Sequence, residues 1–315
     1  MSIDGITKAT FQKVYTVSAA EALRPQLDTF VALKAFPFVK VDGPNGNYNT
    51  FNARDFQTDE IVERNPGSEY KRTKSNYGNN SFLTKDYGLE EAIDDRERQI
   101  VPVSVEQDIA DKFMLNGMRR YERYAYANLF AAGAGTTKTG GADFTKWLSS
   151  GGDPINNMWA FKKVVKDKIG VNPDSLLLSE DVYLELVNHS DIIGRLPDNQ
   201  LRTVKLAVLK ELFGIQNIEV MEAVTNASKE GDANQAPSQI ATDKALLYLK
   251  GGNTIGSAGY AKILYEDMAQ GTTSNGIGIF KYREEKIKSD VIRVEQFFTH
   301  ILQSADAALL LDDVI

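Results

Sequence analysis

Apolar positions recur with two rhythms along this chain of 315 residues, and between residues 37 and 88 they nearly stop. Residues 16–36 (TVSAAEALRPQLDTFVALKAF) carry enough alanine and leucine for one or two short helices, interrupted at Pro25. From Pro37 to Gly88 the chain is rich in Asn, Gly, Lys, Arg, Asp and Glu. Val39, Val41, Ile61, Val62 and Leu83 are nearly all its large aliphatic residues. Such a segment cannot bury itself, and compact domains rarely hold structureless stretches beyond about 12–15 residues. Yet Tyr48, Phe51, Phe56, Tyr70, Tyr77 and Phe82 argue against plain disorder. The pattern predicts an extended arm that lies on another molecule.

Periodicity returns with a strand-like run at Ile100–Val103, and then changes to the helical period. Ser104 with Gln107 forms a capping box at a helix start. Phe113, Met114, Gly117, Met118, Tyr121, Ala125 and Leu129 share one face, and Lys112, Asn116, Arg119, Arg120 and Arg123 the other. Glu122 is grouped with the outer face. This predicts a helix of about 28 residues, roughly 42 Å long, packed on one side. The helix stops at AGAGTTKTGG, which reads as a flexible connector because it lacks the spacing of a phosphate loop.

Asp153 and Pro154 open a further helix that Gly170 ends, with Trp159, Phe161, Val164 and Val165 available for burial. DSLLLSEDVYLELVNHSDII reads as a strand, Ser175–Leu178, followed by a helix capped at Ser179. NQLRTVKLAVLKELFGI is helical to Phe213. IEVMEAV, ALLYLK, YAKILYEDM and GIGIFKYREEKIK read as strands, and the Gly-rich GGNTIGSAG between two of them as a turn. TNASKEGDANQAPSQIATD reads as a surface loop. The tail, DVIRVEQFFTHILQSADAALLLDDVI, reads as two strands joined near Ser304–Asp306. The class is α+β, without internal repeats.

Composition narrows the function more than it names it. A hydrophobic share of 42% and a charged share of 25% are those of a globular protein with a real core. The absence of cysteine removes disulfides, thiolate metal sites and thiol nucleophiles. The net charge of −7 argues against sequence-specific nucleic-acid binding. No apolar run is long enough to span a membrane. The two histidines, His189 and His300, sit near a helix end and on an alternating strand, where structural roles suffice. In EEAIDDRERQ (90–99) acids alternate with Arg96 and Arg98, which predicts ion pairs rather than a catalytic carboxylate pair. No catalytic, metal or cofactor site emerges.

The order of these elements resembles the major capsid proteins of tailed bacteriophages, with the Hong Kong 97-type fold. The stretch KDYGLEEAIDDRERQIVPVSVEQDIADKFMLNGMRRYERYAYANLFAAG is similar to the family's spine helix and its lead-in. NPDSLLLSEDVYLELVNHSDIIGRL and KELFGIQNIEVMEAVTNA look like its axial domain. The resemblance implies an N-terminal arm (1–36) and an extended hairpin, the E-loop (37–88). It implies a peripheral domain (89–170 with 284–315) built on a spine helix (104–132), and an axial domain (171–283). It implies an icosahedral shell enclosing double-stranded DNA, assembled in the bacterial cytoplasm and found in the virion. The partners it implies are the chain itself in pentamers and hexamers, portal, scaffolding and decoration proteins, and DNA at the inner face. Neither membrane nor cofactor is implied. An encapsulin-like nanocompartment shell is the first alternative, and a soluble enzyme with a carboxylate site the second.

A hairpin with about 20 residues per side reaches roughly 65 Å, far beyond the radius of gyration of about 20 Å for a compact chain of this length. It must overhang its own domain. An isolated hairpin is marginal in water, so a neighbour must order it. The interface candidates are therefore Arg54, Asp59, Glu63, Arg64, Tyr70, Lys71, Arg72, Lys74, Tyr77 and Phe82 on the arm. Glu90 and Asp94 on the lead-in, and Arg119 and Arg123 on the helix, complete the set. Any anchoring is expected to be noncovalent.

Overall fold

The computed structural model describes residues 27–50, 61–72, 78–96, 105–196, 204–226, 236–267 and 275–315. Two five-stranded sheets share one hydrophobic core. The first contains β1 (Phe38–Val41), β4 (Lys85–Asp94), β11 (Ala261–Glu266), β12 (Ile277–Glu284) and β13 (Ser289–Leu302). Its order is β1-β11-β13-β12, with β4 also paired to β13. β1 runs parallel to β11, and the other pairs are antiparallel. The 14-residue β13 is the frame, carrying β4 from Ser289↔Asp94 to Phe298↔Lys85.

The second sheet has the order β5-β14-β10-β6-β7, from β5 (Thr136–Thr139), β6 (Ser175–Ser179), β7 (Asn217–Met221), β10 (Lys244–Tyr248) and β14 (Ala308–Asp312). Every residue of β6 is buried, as its uninterrupted apolar run requires of a central strand. The chain therefore crosses between the sheets at its end. β13 and β14 follow one another but do not pair, and each completes a different sheet. The expected boundaries at 171 and 284 do not follow the sheets. β11 and β12 join β4 and β13, while β5 and β14 join β6 and β10.

The helices obey local signals. α3 (Pro154–Ile169) starts where the Asp153 carboxylate accepts from Asn156 N at 2.9 Å, and stops at Gly170 with φ 76°. Trp159 is half-exposed there, contrary to expectation; Phe161 and Val165 take the buried face. α4 (Glu180–Asn188) and α5 (Ser190–Ile193) follow β6 directly. The Ser179 hydroxyl does not cap α4; it donates to the Lys244 carbonyl and locks β6 to β10. His189 Nδ1 accepts from Asp191 N and so caps α5. α6 (Leu206–Phe213) ends at Gly214 with φ 59°.

The long helix is α2 (Val105–Ala125), about 31 Å of rise. It continues as a widened π-turn, Tyr126–Phe130, whose Leu129 carbonyl accepts from the Tyr260 hydroxyl at 2.5 Å. The apolar positions assigned to its inner face are all buried. Ser104 and the strand-like run Ile100–Val103 lie outside the described residues. Glu122 departs from the expected outer face. It is fully buried, and its carboxylate accepts from Val31 N at 3.3 Å and Ala32 N at 2.8 Å at the start of α1 (Ala32–Ala35).

Two Gly-rich stretches are ordered. AGAGTTKTGG is not a flexible connector: its centre is β5, parallel to β14 through Leu309↔Thr136 to Asp312↔Thr139. GGNTIGSAG is a turn held by a buried lysine. The Lys262 ammonium donates to Thr254 O, Ser257 O and Ser257 Oγ, and burial lowers its pKa to about 8.

Candidate subunit interface

The arm is rooted in the first sheet. β1 leaves the sheet at Val41 and β4 re-enters it at Lys85, so both ends of the 37–88 segment belong to the body. Between them, β2 (Asn45–Thr50) and β3 (Gly78–Leu83) form an antiparallel ribbon in register from Asn45↔Leu83 to Thr50↔Gly78. Tyr48 and Phe82 press on a small apolar cluster of Val39, Val41, Leu264 and Ile301, and the Phe82 ring also covers Gly46. Phe82 therefore anchors the arm's root within the subunit. Thr84 N donates to Pro44 O at 2.8 Å and closes the base.

Farther out, residues 61–72 have no regular structure beyond a turn at Asn65–Ser68, where Pro66 precedes Gly67 at φ 88° and Ser68 N donates to Asn65 O. Arg64 donates to Ser68 O at 2.9 Å, and its guanidinium stands 4.2 Å over the Tyr70 ring. Glu63, Arg64, Lys71 and Arg72 are exposed. Ile61 is 93% exposed, Tyr70 74% and Val62 57%. These apolar side chains stand in water in a single copy. Arg54, Asp59, Lys74 and Tyr77 lie outside the described residues.

The lead-in acids are engaged within the chain. Glu91 pairs with Lys112 at 2.8 Å, and Asp95 forms a bidentate pair with Arg283 at 2.6 and 2.7 Å. Glu90 accepts from the Tyr282 hydroxyl and sits 3.8 Å from Arg293, while Asp94 accepts from Arg96 N. Arg98 is outside the described residues. Arg119 donates to Val224 O at 3.1 Å, which ties α2 to the small ribbon of β8 (Val224–Asn226) and β9 (Pro237–Gln239). Arg120 lies 4.4 Å over the Tyr87 ring. Arg123 is exposed, with no carboxylate within ion-pair reach among the described residues.

Sequence reasoning missed a groove along this face. One cleft, of about 380 Å³, lies between α2 and β4 and is lined by Asp86, Tyr87, Gly88, Leu89, Asn116, Gly117, Arg120, Val294 and Gln296. A side chain at Gly117 would meet Gln296 and Ile277, so glycine lets α2 pack closely on β12 and β13 beneath the cleft. The buried Gln296 amide nitrogen has no hydrogen-bond partner. A second cleft, of about 330 Å³, adjoins at Arg120 and is lined by Arg123, Tyr124, Tyr126, Asn128, Thr225 and Gln239. The groove combines the cations Arg120 and Arg123, the exposed acid Asp86, an unspent donor and the half-exposed Leu89. It can bind an extended chain carrying acceptors, acids and apolar side chains.

Groups that resemble catalysts are packing elements. His300 Nδ1 lies 3.0 Å from the Tyr124 hydroxyl, and burial followed by the nearby Lys85 lowers its pKa. Tyr121, Tyr248 and Tyr260 are buried phenols whose ionisation burial opposes. Among the described residues no group of three or more His, Cys, Asp or Glu side chains is placed to hold a metal ion.

No protein-family model matches the chain. A curated protein named "Major capsid protein", from Burkholderia phage BcepMu, is 23% identical over 288 residues, covering 90% of this chain and 91% of the relative. Among solved structures, a phage-related protein of Bordetella bronchiseptica matches with a TM-score of 0.68 at 18% identity, over 96% of each chain. The capsid of cyanophage P-SCSP1u matches with a TM-score of 0.57 at 10% identity, over 88% of this chain and 86% of that one. An encapsulin from Synechococcus elongatus gives 0.53 at 13%, over 95% of each. This chain has the Hong Kong 97-type capsid fold, and over nearly its whole length it is similar in sequence to a phage major capsid protein.

Proposed function

We propose that this chain is the major capsid protein of a tailed phage, a structural subunit whose copies close into the icosahedral head shell around double-stranded DNA. The observation that carries the reading is the arm. It is rooted in the body by Tyr48 and Phe82, yet holds Ile61, Val62 and Tyr70 in water. A segment of that kind becomes ordered only on another molecule, and whole-length similarity to a capsid protein supplies the molecule: a further copy. The arm of one copy lies along the groove beside α2 of the next. Apolar side chains cover Leu89, and the arm's acids meet Arg120 and Arg123. Each exposed ion pair contributes only about 0–1 kcal/mol, but repetition through a closed shell sets register and steers assembly. Pentamers and hexamers are the intermediates, with portal, scaffolding and decoration proteins as further partners. Assembly takes place in the bacterial cytoplasm, and the chain performs no catalysis.

An encapsulin-like shell is the second reading, favoured by the shared fold. The sequence relative favours the phage. Electron microscopy of the purified full chain, alone and with co-expressed scaffold, tests the proposal. Closed icosahedral particles are expected. A protein that remains monomeric under both conditions contradicts it. Particles loaded with a cellular enzyme instead of DNA select the second reading.

A further inference from the structure

The described residues include two fully or nearly buried acids, Asp290 and Glu122. Asp290 is neutralised by Lys281 at 3.0 Å and Arg283 at 3.4 Å. Among the described residues Glu122 has no cation within ion-pair reach, and its partners there are the amides of Val31 and Ala32, at the first turn of α1. Amides at a helix start have no partner inside the helix, so a carboxylate there supplies what the short turn lacks. The same contact takes the carboxylate out of water, because residues 27–36 lie over it with Phe30, Val31, Ala32, Ala35 and Phe36 buried.

We propose that Glu122 is a proton-linked clasp between the spine helix and residues 27–36, holding that segment more tightly in acid than in base.

Docking the segment is what buries Glu122, so docking and protonation are coupled. The charged groups nearby do not cancel the effect. Lys34 on α1 turns outward to Asp28 at 3.2 Å. Lys250, after β10, spends its ammonium on the Lys34 carbonyl. On α2 itself, Arg119 is directed to Val224 O and Arg123 is exposed. Desolvation therefore outweighs the two amide bonds and the distant Lys34, and the docked carboxyl titrates at about 7 against an ordinary 4.5. With the segment lifted, Glu122 meets water and returns to its ordinary value. The docked state thus binds the proton more strongly. Its advantage is complete below the ordinary value and is lost as pH rises through about 7.

Hydrogen exchange of the full-length chain tests this at pH 5, 6, 7 and 8, with rates corrected for intrinsic exchange. The peptide spanning 27–36 is compared with one from α3, which contains no buried acid. Global changes in stability cancel in the ratio. The opening equilibrium of 27–36 is expected to rise about 70-fold from pH 5 to pH 8, from the two pKa values above. Glu122→Gln should flatten the profile. If that variant fails to fold, the wild-type series still decides. A ratio that is flat across the range, or protection that increases with pH, overturns the proposal. So does a Glu122→Gln profile that keeps the wild-type slope.

Discussion

Ile61, Val62 and Tyr70 on the arm are exposed in one copy, and under the proposed function they bury on the next when a shell closes. Replacing all three by serine separates assembly from folding. Full burial of an aliphatic or aromatic side chain contributes about 1.5–3 kcal/mol. The three are 93%, 57% and 74% exposed, so roughly three-quarters of that area is still available to a neighbour. Allowing for partial cover at the interface, the loss is about 3–5 kcal/mol per subunit. At about 1.4 kcal/mol per factor of ten, the concentration needed for assembly should rise roughly 100- to 4000-fold. The isolated subunit should not notice, because substitutions of exposed side chains stay within about 0.5 kcal/mol. Light scattering against protein concentration reads the first quantity, and calorimetry of the unassembled subunit the second. An unchanged assembly threshold would refute the reasoning. A melting temperature that falls by many degrees would show that these residues belong to the subunit's own core.

Further outcomes follow from the same geometry. Reversing Arg120 and Arg123 to Glu should slow assembly and reduce its sensitivity to salt, since screening shortens to roughly 3 Å at 1 M; assembly kinetics at 0.05 and 1 M salt that match the wild type would contradict this. Replacing residues 51–77 by a short Gly/Ser link, while keeping the β2–β3 root, should leave a cooperatively folding subunit that makes no stable shells; loss of the thermal transition would place that segment in the core. His300 is held neutral, its pKa lowered by burial and then by Lys85, so the stability it contributes is present above its ordinary 6.5 and is lost as pH falls through the folded value. His300→Gln should therefore remove part of the acid-side fall in melting temperature, and an unaltered pH profile would speak against it. Gly140→Ala should lower stability by about 1–3 kcal/mol, because its Cβ would overlap the Asp313 carbonyl and push β5 off β14; thermal unfolding checks this.

The inner face of α2 was legible because seven apolar positions keep the helical period over five turns. So were the stops at Gly170 and Gly214, where a left-handed residue is required and only glycine adopts it freely. Glu122 was not legible. Its side chain projects between the two faces, and only the return of residues 27–36 across the helix turns that position into a buried one. The same kind of long-range pairing hid β5. Thr136–Thr139 is short and polar, flanked by glycines, and becomes a strand only because β14 arrives from 170 residues later in the chain. The sheet membership of β11 and β12 was lost for that reason too, since pairing with β13 leaves no local mark. The arm was visible as a deficit of aliphatic residues. The groove beside α2 was not, because it is assembled from β4, α2 and β13.

The chain contains no cysteine, so introduced thiols report contacts without background. The most direct measurement is disulfide trapping between two populations of the full chain, mixed before assembly. One carries a single cysteine at Glu63, Ser68 or Arg72 of the arm, and the other a single cysteine at Leu89 in the groove. Mild oxidation of assembled particles should join the two populations for at least one of the three arm positions, and oxidation of the unassembled mixture should join none. Closed particles in which no arm position is trapped against Leu89, or trapping that is equally strong without assembly, would contradict the claim that each copy is held by the arm of its neighbour.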